Sequence, residues 1–182
     1  MTGRRPRRPR PPLDEDKLNE LMLAYVAKFA TSRAKLGAYL RRKVKERGWD
    51  GSDDPPIDSL VVKAANAGFV DDAAFALGKA RSLTARGYGA RRVEQALHAA
   101  GIDDSDGQAA RDHAADDRVE AALRFAKRRR FGPFATRTAQ PVQNDKALAA
   151  MVRAGHDFRV AKLILALPPG TDVDPQALRD NH

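Results

Sequence analysis

Gly68–Ile102 reads GFVDDAAFALGKARSLTARGYGARRVEQALHAAGI and carries a start and a stop signal for each of two consecutive helices. Asp71 suits an N-cap, because its carboxylate can accept from the free N–H groups of the first turn at the positive end of the helix dipole. Val70 before it and Phe75 after it occupy the two positions of a hydrophobic staple, which sets the angle of entry. The spacing predicts a helix running to about Arg86, a stop at Gly87, a turn through Tyr88 and a restart with Gly89 as the next cap. The second helix sets Val93, Ala96, Leu97 and Ala100 at helical spacing. It then closes with Gly101 as the left-handed residue and Ile102 folding back on Leu97, the arrangement of a Schellman cap.

The same ending recurs. Leu40, Val44 and Gly48, then Val93, Leu97 and Gly101, then Ala147, Met151 and Gly155 each follow the order apolar, three residues, apolar, three residues, Gly, with the glycines 53 and 54 residues apart. An unphased copy lies at Ala64, Gly68 and Phe69. Many helices end in Gly followed by an apolar residue; the near-constant interval is what speaks for a repeat, with room for three short helices in each unit. The expected fold is all-α: three tandem three-helix repeats forming an elongated, curved array. The boundaries expected are a basic arm at 1–12, repeats at 13–69, 70–115 and 116–167, and a fraying tail at 168–182.

The combination of Asp71, Asp72, Phe75, Gly87, Tyr88, Gly89, Arg92, Leu97 and Gly101 at these spacings resembles the central signature of the RecX family, regulators of the RecA recombinase. The flanks, about Leu13 to Leu167, are similar to that family's three tandem units in length and helix order. The chain departs from the pattern in its many alanines at small apolar sites, in His156 where an aromatic or aliphatic residue is usual, and in its Arg-rich arm. The resemblance implies a protein that lodges in the helical groove of the RecA filament on single-stranded DNA and bridges neighbouring subunits. Filament growth, ATP hydrolysis and strand exchange would be hindered, in the setting of homologous recombination, DNA repair and the SOS response.

Composition narrows the rest. With 182 residues the chain can form one substantial core or several small units. It has no cysteine, which excludes disulfides, thiol nucleophiles and thiolate zinc sites and suits a reducing cytoplasm. No apolar run of about eighteen residues could span a bilayer, and the basic N-terminus lacks the apolar segment of a signal peptide, so a cytoplasmic protein without membrane contact is expected. Of the net charge of +9, five units come from Arg4, Arg5, Arg7, Arg8 and Arg10 in a segment with no acid, leaving +4 for the remainder. That Arg/Pro arm has nothing to bury and is expected to be disordered. It is either a tether making phosphate contacts to single- or double-stranded DNA or a solubilising tail.

Along the chain, Leu13–Phe29 is read as the first helix, with Leu18, Leu21, Met22, Tyr25, Val26 and Phe29 as its apolar stripe. Thr31 or Ser32 caps the second, whose outer faces carry Arg33, Lys35, Arg41, Arg42, Lys43, Lys45 and Arg47; Trp49 is read as packing back on Val44. Asp50–Pro56 is a loop and Ile57–Ala67 a third helix. Asp103–His113 has few large apolar groups and is expected to be short. The third unit opens at Asp116 or Asp117, burying Val119, Leu123 and Ala126, with Lys127 to Arg130 at its C-terminal end. Phe131–Val142 is read as a loop, followed by helices at about Asp145–Ala154 and Phe158–Leu167.

The acids fall at helix starts, where capping accounts for them. His98, His113, His156 and His182 lack the spacing that would put two imidazoles on one helical face, and there is no phosphate-binding Gly-rich loop, dinucleotide fingerprint or nucleophile elbow. No catalytic, metal or cofactor site is therefore expected, and the chain is read as a binding protein, monomeric and not an enzyme. Charge and expected exposure single out Arg41, Arg42, Arg86, Arg91, Arg92, Arg128, Arg129, Arg130 and Arg153 as partner contacts. Arg4, Arg5, Arg7, Arg8 and Arg10 are the candidates for DNA. The alternative reading is a helical DNA-binding protein acting through the arm and the second helix.

Overall fold

The structure, a computed structural model, describes residues 11–180, so Arg4, Arg5, Arg7, Arg8 and Arg10 lie outside the described residues. The α-helices are α1 (Glu15–Val26), α2 (Arg33–Arg47), α3 (Ile57–Asn66), α4 (Asp72–Ala85), α5 (Ala90–His98), α6 (Asp104–Asp116), α7 (Arg118–Arg129), α8 (Pro141–Arg153), α9 (Phe158–Ala166) and α10 (Pro175–Asp180), with a 3-10 turn at Gly132–Phe134. Among the described residues there is no strand, only an isolated parallel bridge between Leu13 and Trp49. The protein is all-α. The chain divides into two compact units, and the division falls between Phe75 and Ala76, inside α4.

In the first unit, Leu18 and Met22 of α1, Leu36 and Leu40 of α2, and Ile57, Leu60 and Ala64 of α3 bury one apolar face each around Leu13 and Val70. The helix starts are fixed by side chains that accept from free N–H groups: Asp14 from Lys17 at 2.8 Å, Ser32 from Lys35 at 3.3 Å, and Asp71 from Ala74 at 2.8 Å. Asp72, one residue into α4 and only 5% exposed, turns its carboxylate to the first residue of α2 and accepts from the Arg33 N–H at 2.8 Å. One Asp-Asp pair thus caps two helices.

Two expectations fail here. The first helix starts at Glu15 and ends at Val26, so Phe29 leaves the apolar stripe and is 48% exposed. The ending at Gly48 is not a Schellman cap: its backbone (φ 85°, ψ 168°) sends the chain out extended. Leu13 then donates to the Gly48 carbonyl at 3.0 Å and accepts from Asp50 at 2.8 Å. Trp49 is tied by its indole N–H to the Asp53 carbonyl at 2.6 Å. A backbone pairing with a residue 36 positions earlier overrides the local ending.

In the second unit the paired bonds of the Schellman cap occur repeatedly. Ile102 donates to Leu97 and Gly101 to His98; His156 donates to Met151 and Gly155 to Val152; Tyr88 donates to Leu83 and Gly87 to Thr84. The first unit ends α3 in the same way, with Phe69 donating to Ala64 and Gly68 to Ala65. At the end of α7 the left-handed position is taken by Arg130, φ 57°, with Phe131 donating to Ala126.

The α6 segment is a full helix of 13 residues, not a short one. Its buried positions are Gly107, Ala110 and Ala114, small enough for the backbone to approach its neighbours. Asp103 caps it by accepting from Asp106 at 2.7 Å. In α7 the inward residues are Val119, Ala121, Ala122, Phe125 and Ala126, while Leu123 is half-buried. Pro141 opens α8 where a loop was expected: its fixed φ suits the first helical position, where an N–H would be unbonded in any case. Gln143 reaches back to accept from the Gln140 N–H at 3.1 Å.

The C-terminal segment also departs from expectation. Gly170 donates to the Pro133 carbonyl at 2.9 Å, α10 places Leu178 in the cluster formed by Val119, Phe125, Met151 and Ile164, and Arg179 pairs with Glu120 of α7. Leu178 and the half-buried Val173, with a backbone anchor and an ion pair, dock the segment.

Candidate partner-binding site

The C-terminus of α4, the Gly87–Tyr88–Gly89 turn and the outer face of α5 form a groove of about 300 Å3 lined by Lys79, Leu83, Arg86, Tyr88, Arg92, Gln95, Ala96 and Ala99. The lining follows helical spacing: Lys79 and Leu83 on α4 with Arg86 just past its end, and Arg92, Gln95 and Ala96 on α5 with Ala99 at its C-cap. Leu83 is buried and forms the floor; Lys79, Arg86 and Arg92 are exposed.

Tyr88 is the centre of this site. The Arg86 guanidinium lies 5.4 Å and that of Arg128, from α7, 5.9 Å from its ring centroid, both within cation–π range. Arg128 also lies 5.4 Å from the Phe125 ring and donates to the Arg86 carbonyl. Arg124, one turn earlier, donates to the Thr84 carbonyl at 3.2 Å and pairs with Asp117. Two α7 guanidiniums therefore satisfy carbonyls at the negative end of α4. The Arg92 guanidinium is oriented by Gln95 at 3.3 Å.

The turn is held from behind. His156 is 2% exposed, lies 5.3 Å from the Phe125 ring and sits 3.1 Å, through Nε2, from the Gly87 carbonyl. Burial pushes its pKa down to about 4, the Gly87 bond opposing and the nearby Arg128 reinforcing that shift. The imidazole is neutral, with Nε2–H donating to Gly87. His156 is thus buried behind the turn that carries Tyr88 and supports it.

Of the arginines singled out in the sequence, Arg86, Arg92 and Arg128 come together here. Arg91 lines a separate shallow pocket with Glu94 and Arg111. There Arg111 bonds Glu94 at 2.8 and 3.2 Å and holds its carboxyl below the usual range, while also pairing with Asp104. Arg129 lies 5.7 Å from the Phe131 ring, and Arg130 lines a cavity with Phe131, Gly132 and Arg137. Arg153 is exposed in the last turn of α8. In the first unit, Arg41 bonds Asp58 at 2.7 Å, and Arg42 lies 3.6 Å from Glu46 and 5.6 Å from the Tyr39 ring.

Sequence reasoning missed Lys79, Tyr88 and Gln95 as groove residues. The signal for Lys79 was present in its spacing to Leu83 and Arg86, but the approach of Arg128 depends on α7 packing, 42 residues away.

Fold and site together define an all-α protein with a cationic groove beside Tyr88. No described helix is long and apolar enough to cross a membrane. The family described as "RecX, second three-helix domain" matches residues 71–110, the segment that supplies every residue lining the groove. "Regulatory protein RecX" of Myxococcus xanthus (strain DK1622) is 31% identical over 177 residues, covering 91% of this chain and 92% of that protein. The chain belongs to the RecX family of regulatory proteins. Its fold is similar to the crystal structure of RecX from Lactobacillus salivarius, with a TM-score of 0.58 at 16% identity over 82% of this chain and 92% of that one. A second crystal structure, of regulatory protein RecX, has a TM-score of 0.59 at 20% identity over 82% of this chain and 72% of that one.

Proposed function

We propose that this protein binds the RecA nucleoprotein filament on single-stranded DNA through the Tyr88 groove and inhibits filament growth, ATP hydrolysis and strand exchange. It would act in the cytoplasm, as a monomer and not as an enzyme, to modulate recombination and DNA repair. The helices would be used as three modules, 13–69, 70–115 and 116–167. The observation that carries the reading is the placement of the Arg86 and Arg128 guanidiniums over the half-buried Tyr88 ring, in a groove that Lys79 and Arg92 also line. Tyrosine and arginine dominate binding energy at protein interfaces, and a cationic cluster selects an acidic surface. A ligand that contacts several subunits favours the filament geometry it fits, so its differential affinity biases assembly. Purified protein titrated into RecA ATP hydrolysis on single-stranded DNA tests this: inhibition that saturates is expected, and unchanged hydrolysis overturns it.

A second reading, DNA binding through the arm and α2, is favoured by the cations along α2. Deleting residues 1–12 separates the two. Inhibition that survives supports the filament reading; inhibition lost from a shortened chain, where the full chain holds DNA tightly, supports the second. Binding dominated by six or more phosphates would also weaken by roughly 10³ or more between 50 and 200 mM salt.

A further inference from the structure

The first unit carries an aromatic strip that starts on its core, where Tyr25 and Tyr39 pack, and ends outside it at Phe29. Phe29, just beyond the end of α1, is 48% exposed. It is held in place nonetheless, because its N–H donates to the Tyr25 carbonyl at 2.9 Å and its ring lies 5.2 Å from that of Tyr25. Tyr25 in turn stacks on Tyr39 of α2, with centroids 4.1 Å apart and planes at 18°. Both tyrosines are half-buried. Three rings thus run in sequence from the end of α1 onto α2.

Cations flank both ends of the strip. The Lys28 ammonium lies 5.4 Å from the Phe29 centroid, and Arg42 and Lys43 lie 5.6 and 5.8 Å from the Tyr39 centroid. One turn before Tyr39, Lys35 lies 5.1 Å from the Phe75 ring. Lys35, Tyr39, Arg42 and Lys43 share one face of α2 by their spacing. The acid recorded beside Arg42 and Lys43 is Glu46, at 3.6 and 2.6 Å.

We propose that Phe29, Tyr25 and Tyr39 form a stacking platform for single-stranded nucleic acid, with Lys28, Arg42 and Lys43 meeting its phosphates. The chemistry selects that ligand. An anionic polymer alone would need only the cations, whereas an exposed ring on a strip flanked by cations fits a polymer with a flat π face and a negative charge at each step. A duplex hides its base faces in the stack, so it could use the cations but not the exposed ring. This rests on the second reading in taking nucleic acid as a ligand and goes beyond it by assigning the aromatic residues and the strand form.

The test uses the full chain without RecA, and fluorescence anisotropy with a fluorescein-labelled 20-mer oligothymidine and a 20-base-pair duplex as probes. The single strand is expected to bind more tightly than the duplex. Phe29→Ala should weaken single-strand binding roughly tenfold and leave duplex binding unchanged. Phe29→Leu, which keeps an apolar side chain against Tyr25 but removes the ring, should show the same loss, and it replaces the alanine variant if that one does not fold. Equal affinity for both probes with silent Phe29 variants overturns the platform while leaving electrostatic DNA binding in place. No binding to either probe overturns both. Equal losses on both probes also overturn the platform, since they would report a lost surface and not lost stacking.

Discussion

Gly89 and Gly155 meet backbone to backbone. A Cβ on Gly89 would lie 2.2 Å from the Gly155 carbonyl oxygen, and one on Gly155 would lie 2.4 Å from the Arg92 nitrogen. The contact joins the start of α5 to the end of α8: Gly89 donates to Ala154 at 3.0 Å and Arg91 to Gly155 at 3.2 Å. Free N–H groups of one helix thereby satisfy free carbonyls of another, with opposite dipole ends facing. Many buried positions in this unit are alanines, and each methylene fewer than a leucine forgoes about 0.8 kcal/mol of burial. Close backbone docking of this kind accordingly matters more.

Gly89→Ala should therefore destabilise the protein by about 3 kcal/mol or more, because the obstructing atoms are backbone and cannot swing aside. Gly155→Ala adds the strain of φ 93° to its own clash. Gly78, in α4 with nothing within 4 Å of its added Cβ, provides the opposite case: Gly78→Ala should stabilise by about 0.5–1 kcal/mol through helix propensity. Urea denaturation of the three variants checks all three signs.

His156 makes stability depend on pH. Its folded pKa, about 4, lies below the ordinary value of 6.5, so between those values the unfolded chain takes up a proton that the folded protein refuses. The stabilisation is fully present above pH 6.5 and is lost as pH falls toward 4, amounting to about 3 kcal/mol across that window. His156→Phe keeps a ring against Phe125 and should remove this part of the slope, at the cost of the bond to Gly87. Urea midpoints of both proteins from pH 4 to 7 test it: parallel curves would contradict the assignment.

What was legible in the sequence was what neighbours in the chain decide. The caps at Asp71, Gly89, Gly101 and Gly155 each depend on residues within one turn, so spacing alone located them. The larger departures are set by distant partners: Leu13 pairing with Trp49, Leu178 filling a cluster built from α7, α8 and α9, and Arg128 reaching the α4 carbonyls. Arg130 shows the limit from the other side, since a left-handed helix end was expected to be marked by glycine. The site was half legible for the same reason. Helical spacing aligned Arg86 with Lys79 and Leu83, but no local pattern could bring α7 to Tyr88.

Asp72 should prove more costly to remove than its neighbour. Asp71→Ala deletes an exposed cap on α4 and should cost about 1 kcal/mol. Asp72→Ala deletes a buried acceptor for the Arg33 N–H, freeing the first donor of α2 and opening a small void, and should cost about 2 kcal/mol. Asp72→Asn keeps an acceptor oxygen and should recover part of the loss. An Asp72→Ala midpoint equal to that of the unsubstituted protein would mean that the bond to Arg33 contributes nothing, and one equal to that of Asp71→Ala would mean that burial adds nothing to the cap.

The groove itself is tested by reversing charges that the fold does not need. Arg128 is unsuitable, because its guanidinium also satisfies the Arg86 carbonyl and its loss would mix stability with binding. The Arg86 and Arg92 side chains are exposed, so Arg86→Glu and Arg92→Glu should leave the unfolding temperature nearly unchanged. Residues at the centre of an interface typically cost about 2 kcal/mol or more when removed, so each reversal should raise the concentration needed to inhibit RecA ATP hydrolysis by roughly thirtyfold. Arg81→Glu makes the same charge change on α4 outside the groove lining and controls for net charge. If Arg81→Glu weakens inhibition as much as Arg86→Glu, the effect is long-range attraction and the groove is not where the partner sits; if only the groove variants do so, and do so at high salt as well, short-range contact around Tyr88 is what holds it.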